Sequence, residues 1–168
     1  AFSEVVVPSE KVEAEMRTCR ERDVLKKERG QHRMRIQSLC VGQGITTTKA
    51  LVVPPSELRN WKDEPLAPEL IRAIEREQAR LRLVDEQIKE LEKYQRDVVK
   101  EKSNSTAENA ATLMELKTIG LQTAYKLSSE AFWRKFQNRK KAGAFTGLTG
   151  TPYNSGDSVK DQGISKAG

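Results

Sequence analysis

Ser155 stands in the run Thr151-Pro152-Tyr153-Asn154-Ser155-Gly156-Asp157-Ser158, and lysines and arginines flank it on both sides. A serine hydroxyl so placed has the makings of a nucleophile toward a phosphodiester. Attack at phosphorus needs an activated hydroxyl, cations to take up charge on the phosphoryl oxygens and, in most systems, a divalent metal. Arg139, Lys140, Lys160 and Lys166 can supply the cations. Carboxylates are scarcer, since Asp157 and Asp161 are two loop acids and too few to cage a metal. The chain's one histidine, His32, is far upstream, which excludes a hydrolase triad within this segment. By composition alone the run is a turn, and a Ser-Gly pair in a turn is usually inert.

The cations near Ser155 carry most of the net charge of +6. From Thr112 to Gly168 nine Lys or Arg residues face only Glu115, Glu130, Asp157 and Asp161, an excess that suits a phosphate backbone. Arg134, Lys135, Arg139, Lys140 and Lys141 interleave with Trp133, Phe136 and Phe145. A helix around 133–145 would bury the aromatics on one side and align the bases as a ridge for a DNA or RNA helix. Trp133 and Phe136, three apart, then read as core rather than as stacking platforms. Upstream, residues 116–124 read as a helix, a glycine turn and a second helix starting near Thr123. Thr118, Gly120 and Thr123 would set free backbone amides against a DNA phosphate. The plainer alternative is that Gly120 only ends a helix.

The elements that must position these residues are helical. With 36% apolar, 32% charged and 5% aromatic residues, the chain suits long solvated helices with a small core better than a compact globule. Its 168 residues allow one modest domain plus an extended element. Pro8-Ser9-Glu10 marks a helix start, and the helix runs to about Leu39 on a loose apolar pattern with a polar gap from Lys26 to Arg33. The run at 42–49 lacks the Gly-Lys-Thr ending of a phosphate loop and reads as a plain glycine loop. Residues 42–68, with Pro54, Pro55, Pro65 and Pro68, form a connector with one short helix over Ser56–Lys62. From Leu70 to about Lys102 a heptad places Ile74, Leu81, Ile88 and Gln95 at one core position and Glu77, Val84, Leu91 and Val98 at the other. Two long helices joined by this connector predict an antiparallel coiled-coil hairpin, either alone or with its seam closed by a second copy. Residues 103–107 cap a further helix to Lys117, another runs through Phe132, and the tail from Gly147 is loop or short strand.

Cys19 and Cys40 lack metal-ligand spacing, and with a single histidine they cannot close a structural zinc site; they read as reduced helix residues of a cytoplasmic protein. No apolar run is long enough to span a bilayer, and no membrane role is expected.

The run Gly147-Leu148-Thr149, Thr151-Pro152-Tyr153, Ser155-Gly156-Asp157-Ser158 and Gln162-Gly163-Ile164-Ser165-Lys166-Ala167-Gly168, preceded by Trp133, Phe136 and Asn138-Arg139, resembles the C-terminal half of transposases of the insertion sequence 110/116/902 family. The resemblance implies DNA transposition and a mainly α fold: 1–8 the end of a preceding domain or linker, 9–106 a coiled-coil dimerisation region, and 107–168 a helix-hairpin-helix-like DNA-binding domain with an irregular glycine-rich tail. It implies Ser155 as nucleophile, with Ser158 as the alternative register. It further implies a preceding RuvC-like domain whose four acids hold Mg2+, DNA and a guide (bridge) RNA as partners, and a homo-oligomer formed through the coiled coil. The family usually carries a second glycine two places on from Gly120, where this chain has Gln122, or Leu121 near it. On this reading the chain is a fragment that binds nucleic acid without a cofactor of its own and does not cut alone. The rival readings are a non-catalytic nucleic-acid-binding coiled-coil protein, an inactive transposase remnant, or a coiled-coil oligomer that never meets nucleic acid.

Overall fold

The computed structural model describes residues 7–148 and the backbone of 152–155 and 158–161. The chain is mainly α, as predicted. Its helices are α1 (Glu10–Val41), α2 (Thr47–Val52), α3 (Pro68–Glu101), α4 (Ser105–Met114), α5 (Leu121–Glu130) and α6 (Arg139–Phe145), followed by strands β1 (Pro152–Ser155) and β2 (Ser158–Asp161).

Local chemistry sets the long helices. Ser9, in extended conformation, accepts a hydrogen bond from the Val12 amide at 3.4 Å, and Glu10 and Glu13 occupy the positive end of α1. Pro68 opens α3, where its missing amide removes no intrahelical bond. The helix stops at Lys102, which turns left-handed (φ 48°) and donates its amide to the carbonyls of Val98 and Val99.

α1 and α3 pack antiparallel, with Cys19 against Gln95, Arg22 against Glu92, Arg29 against Asp85 and His32 against Glu77. The heptad residues Ile74, Glu77, Val84, Ile88 and Gln95 are all buried, so the seam predicted on α3 is closed against α1 of the same chain. At about 1.5 Å per residue the hairpin is a rod about 50 Å long. Its core falls into three clusters. Ile36, Cys40, Ile45, Ala50, Leu58, Leu66 and Ile74 close the connector end. Leu25, Val84 and Ile88 fill the middle. Cys19, Val99, Ala110, Ala124 and Tyr125 close the far end, where α4 and α5 pack on the hairpin.

Between the first two clusters the polar gap of α1 finds its partner. His32 Nδ1 lies 2.7 Å and Arg80 Nη1 2.5 Å from the carboxylate of Glu77, with Arg35 at 3.8 Å. The hydrogen bond with His32, helped by Arg80, holds the Glu77 carboxyl below its ordinary pKa despite the opposing effect of burial.

The connector departs from expectation. Gly44 adopts φ +72° and lies where a Cβ would stand 3.0 Å from Trp61 Cβ, so this turn requires glycine. Directly after it, Thr46 accepts from the Lys49 amide and starts α2, a helix in what reads as loop. The helix expected over Ser56–Lys62 is one 3-10 turn, Pro55–Glu57. Asn60 explains the shortfall: its side-chain oxygen accepts from the amides of Lys62 and Glu64, bonds that compete with helix.

Candidate nucleic-acid interface

The segment that carries the predicted site is built from α4, α5, α6 and the β hairpin. Asn104 starts α4 by accepting from the Ala107 amide at 2.7 Å. α4 ends at Met114, earlier than Lys117, and a turn through Thr118 leads to Gly120. Gly120 is the N-cap of α5, so it opens a helix and does not end one. Its φ of −85° is open to any residue, and a Cβ there would meet nothing within 4 Å. No side chain caps this end of α5. Thr118, Gly120 and Thr123 are all exposed beside it, and Leu121, not Thr123, is the first helical residue.

The helix expected over 133–145 is broken. α5 stops at Glu130, whose carbonyl accepts the Trp133 indole N–H at 3.2 Å, and Asn138 restarts the chain as α6 by accepting from the Lys141 amide at 3.0 Å. Two caps facing each other across seven residues leave no room for a continuous helix. The aromatics and bases therefore do not divide onto opposite faces. Arg134 lies over the rings of Trp133 at 4.7 Å and Phe145 at 4.6 Å, and Phe145 in turn packs on Phe136 at 5.5 Å. Arg134 is thus part of the packing of a half-buried aromatic cluster. Lys135, Arg139, Lys140 and Lys141 remain exposed. Lys141 Nζ donates to Gln137 at 2.6 Å, and among the described residues none of these four pairs with a carboxylate.

The glycine-rich tail, expected as loop or short strand, contains an antiparallel hairpin. Pro152 pairs with Asp161, Tyr153 with Lys160, Asn154 with Val159 and Ser155 with Ser158. Ser155 and Ser158, the two alternatives implied by the resemblance, are therefore partners in the last rung, with two residues between them. The side chains of Ser155 and Lys160, and the whole of Lys166, lie outside the described residues.

A cleft of about 710 Å³ separates α5 and α6 from α1 and contains Thr123, Lys126, Phe145 and, on α1, Arg22 and Lys26. Its charges are partly committed: Lys126 bonds to Asp23, which holds the Asp23 carboxyl below its ordinary pKa, and Arg22 grips Glu92. Magnesium is the metal the resemblance implies. Among the described residues no three His, Cys, Asp or Glu side chains gather to hold an ion, so the residues present do not fit one.

Residues 110–168, which span α5, α6 and the Ser155 hairpin, match the Transposase IS116/IS110/IS902 family. The chain is also similar to "Putative transposase y4rJ" of Sinorhizobium fredii (strain NBRC 101917 / NGR234), with 36% identity over 173 residues that cover 96% of this chain and 44% of that protein. The chain belongs to the IS116/IS110/IS902 transposase family. It spans less than half the length of the curated relative it matches. No solved structure matches it.

Proposed function

We propose that this chain is the coiled-coil and C-terminal part of a DNA transposase, that it holds DNA through the exposed cations Lys135, Arg139, Lys140 and Lys141 and the uncapped start of α5, and that Ser155 is the nucleophile of the complete protein. The supporting observation is that one family match, residues 110–168, takes in both the basic segment and the Ser155 hairpin. In the reaction the Ser155 hydroxyl oxygen bonds to phosphorus and its proton leaves. The bond from phosphorus to one strand's oxygen breaks, and that oxygen takes up a proton. The phosphoserine link conserves the energy of the broken bond, so a second strand's hydroxyl can reverse the step. In this reading Mg2+ belongs to an acidic RuvC-like domain and not to this segment.

Further parts of the proposal are a guide RNA as second nucleic-acid partner, cytoplasmic action on the element's own DNA, and self-association along the hairpin. Exposed Val24, Met34 and Leu83 offer apolar surface for a second copy. No helix among the described residues is long and apolar enough to cross a membrane.

The experiment is Ser155→Ala in a protein of the relative's full length. Salt-sensitive DNA binding is expected to persist, and the covalent protein–DNA adduct to disappear. An adduct that survives the substitution would remove Ser155 from the role, and Ser158→Ala then tests its partner in the hairpin. Absence of any adduct with unchanged binding would favour a non-catalytic DNA-binding protein.

A further inference from the structure

The arginines at the connector end of the hairpin stand apart from the segment around Ser155. No acidic residue occurs between Glu28 and Glu57, while Arg29, Arg33, Arg35 and Lys49 do. On α3 every cation before Val84 is an arginine (Arg72, Arg76, Arg80 and Arg82), and lysines begin only at Lys89. The fold gathers five of these residues, Arg35, Arg72, Arg76, Arg80 and Arg82, around two adjoining clefts. One, of about 660 Å³, lies between α3 and the stretch from the end of α2 to Pro55 and is lined by Arg72, Arg76 and Arg82. The other, of about 370 Å³, lies between α1 and α3 and is lined by Arg35, Arg76 and Arg80. Arg76 belongs to both, so the five arginines make one band across α3.

The wall of the first cleft is fixed, because buried Gln78 donates to the carbonyls of Ala50 and Val53 at 2.8 and 3.4 Å and so ties that stretch to α3. Two carboxylates face the band, Glu75 in the first cleft and Glu77 in the second. Glu77 is already saturated by His32, Arg35 and Arg80. Arg72, Arg76 and Arg82 are exposed, and among the described residues no carboxylate pairs with them. Unpaired like charges this close repel one another, and an anion relieves that repulsion. Guanidinium groups present the planar fork that fits phosphate oxygens two at a time. Among the described residues no aromatic side chain lines either cleft, so stacking of single-stranded bases has no platform there. The backbone of a double helix is the better fit.

We propose that Arg35, Arg72, Arg76, Arg80 and Arg82 form a second DNA-backbone surface on the hairpin, distinct from the cations around α6. The choice of DNA rests on the transposase reading above; the polyanion preference rests on the band itself. From Arg76 to the level of Glu92, where Arg22 enters the α5–α6 cleft, is about 24 Å along α3. The two surfaces are thus separate footprints.

The test is the salt dependence of binding by the 168-residue chain to duplex DNA of about 30 base pairs, followed by fluorescence anisotropy. Three versions carry three neutralised cations each: R72Q/R76Q/R82Q in the band, R139Q/K140Q/K141Q on α6, and K89Q/K93Q/K100Q as a control of equal charge on α3. The band variant is expected to lower the slope of log affinity against log salt by about 2.7, so that from about 50 to about 200 mM salt the unaltered chain loses about 40-fold more affinity than the variant. The α6 variant should lower it independently, and the control little. The proposal is overturned if the band variant binds like the unaltered chain, if the control loses as much, or if the band's contribution shows only on an RNA duplex run in parallel. Loss confined to the α6 variant would leave the proposed function standing while removing this surface; no effect of either would remove both. Circular dichroism confirms that the exposed substitutions leave the helices intact.

Discussion

Two polar layers interrupt the apolar seam between α1 and α3, and they are built in opposite ways. Toward the connector, buried Glu77 is ionised and met by His32, itself mostly buried, and by the exposed Arg35 and Arg80. Toward the C-terminal helices, Gln95, Ser128 and Ser129 are fully buried and neutral. There Cys19 Sγ lies 3.4 Å from Ser129 Oγ and receives only a long bond from Gln95, while Gln95 Oε1 and Ser128 Oγ have no partner among the described residues. Burial raises the Cys19 thiol's pKa, which keeps that layer uncharged. The charged layer has its hydrogen bonds satisfied; the neutral one leaves two polar atoms without a protein partner among the described residues, and a buried group left unpaired costs about 1–3 kcal/mol. The joint between the rod and helices α4 and α5 is therefore the weaker of the two.

The largest test of this contrast is Tyr125→Ala. Tyr125 is almost fully buried where α5 meets the hairpin, and desolvation pushes its hydroxyl pKa up to about 12. Its loss should cost about 3–5 kcal/mol in a urea titration. Hydrogen exchange should show the loss in α4 and α5, with the connector-end amides still protected; uniform loss along the rod would contradict a weak joint. Next is Glu77→Gln, which should cost about 1–3 kcal/mol at neutral pH. Because the Glu77 pKa is depressed on folding, its contribution is complete above the ordinary carboxylate value of 4.5 and fades as pH falls through the lower folded value. The unaltered chain should therefore lose stability over that acid window relative to the variant, and parallel curves would show that the ionised carboxylate contributes nothing. The smallest effect has the opposite sign. Gln95→Leu should stabilise by about 1 kcal/mol in thermal melts, since it removes an unpaired carbonyl and adds apolar surface to the seam. Destabilisation would mean that Gln95 has a partner the contrast overlooks.

The features legible in the sequence were those set by neighbours in the chain. Ser9 and Pro68 mark helix starts because caps act within a turn, and the α3 heptad is legible because its burial repeats every seven residues. Glu77 and Gln95 fit the heptad by position, but their opposite treatment depends on what α1 places across from them. α2 is not legible in the sequence because Gly44 turns the chain against Trp61, a contact 17 residues on, before Thr46 caps it. The ridge failed for a related reason: Trp133 folds back onto the Glu130 carbonyl, and no helical period anticipates that. The family of the chain was carried by the Ser155 motif, whereas the connector-end arginines looked like part of an ordinary mixed-charge helix until the fold drew them around two clefts.

An antiparallel hairpin returns to its starting point. Ser9 and Asn104 sit at the same end of the rod, where Glu15 bonds to Thr106. Matching heptads can thus be inserted into α1 and α3 without moving that junction or the helices that lead to Ser155. Each inserted pair carries the connector end about 10.5 Å further out. The hairpin is a ruler whose length sets how far the connector-end arginines stand from the helices packed at its base.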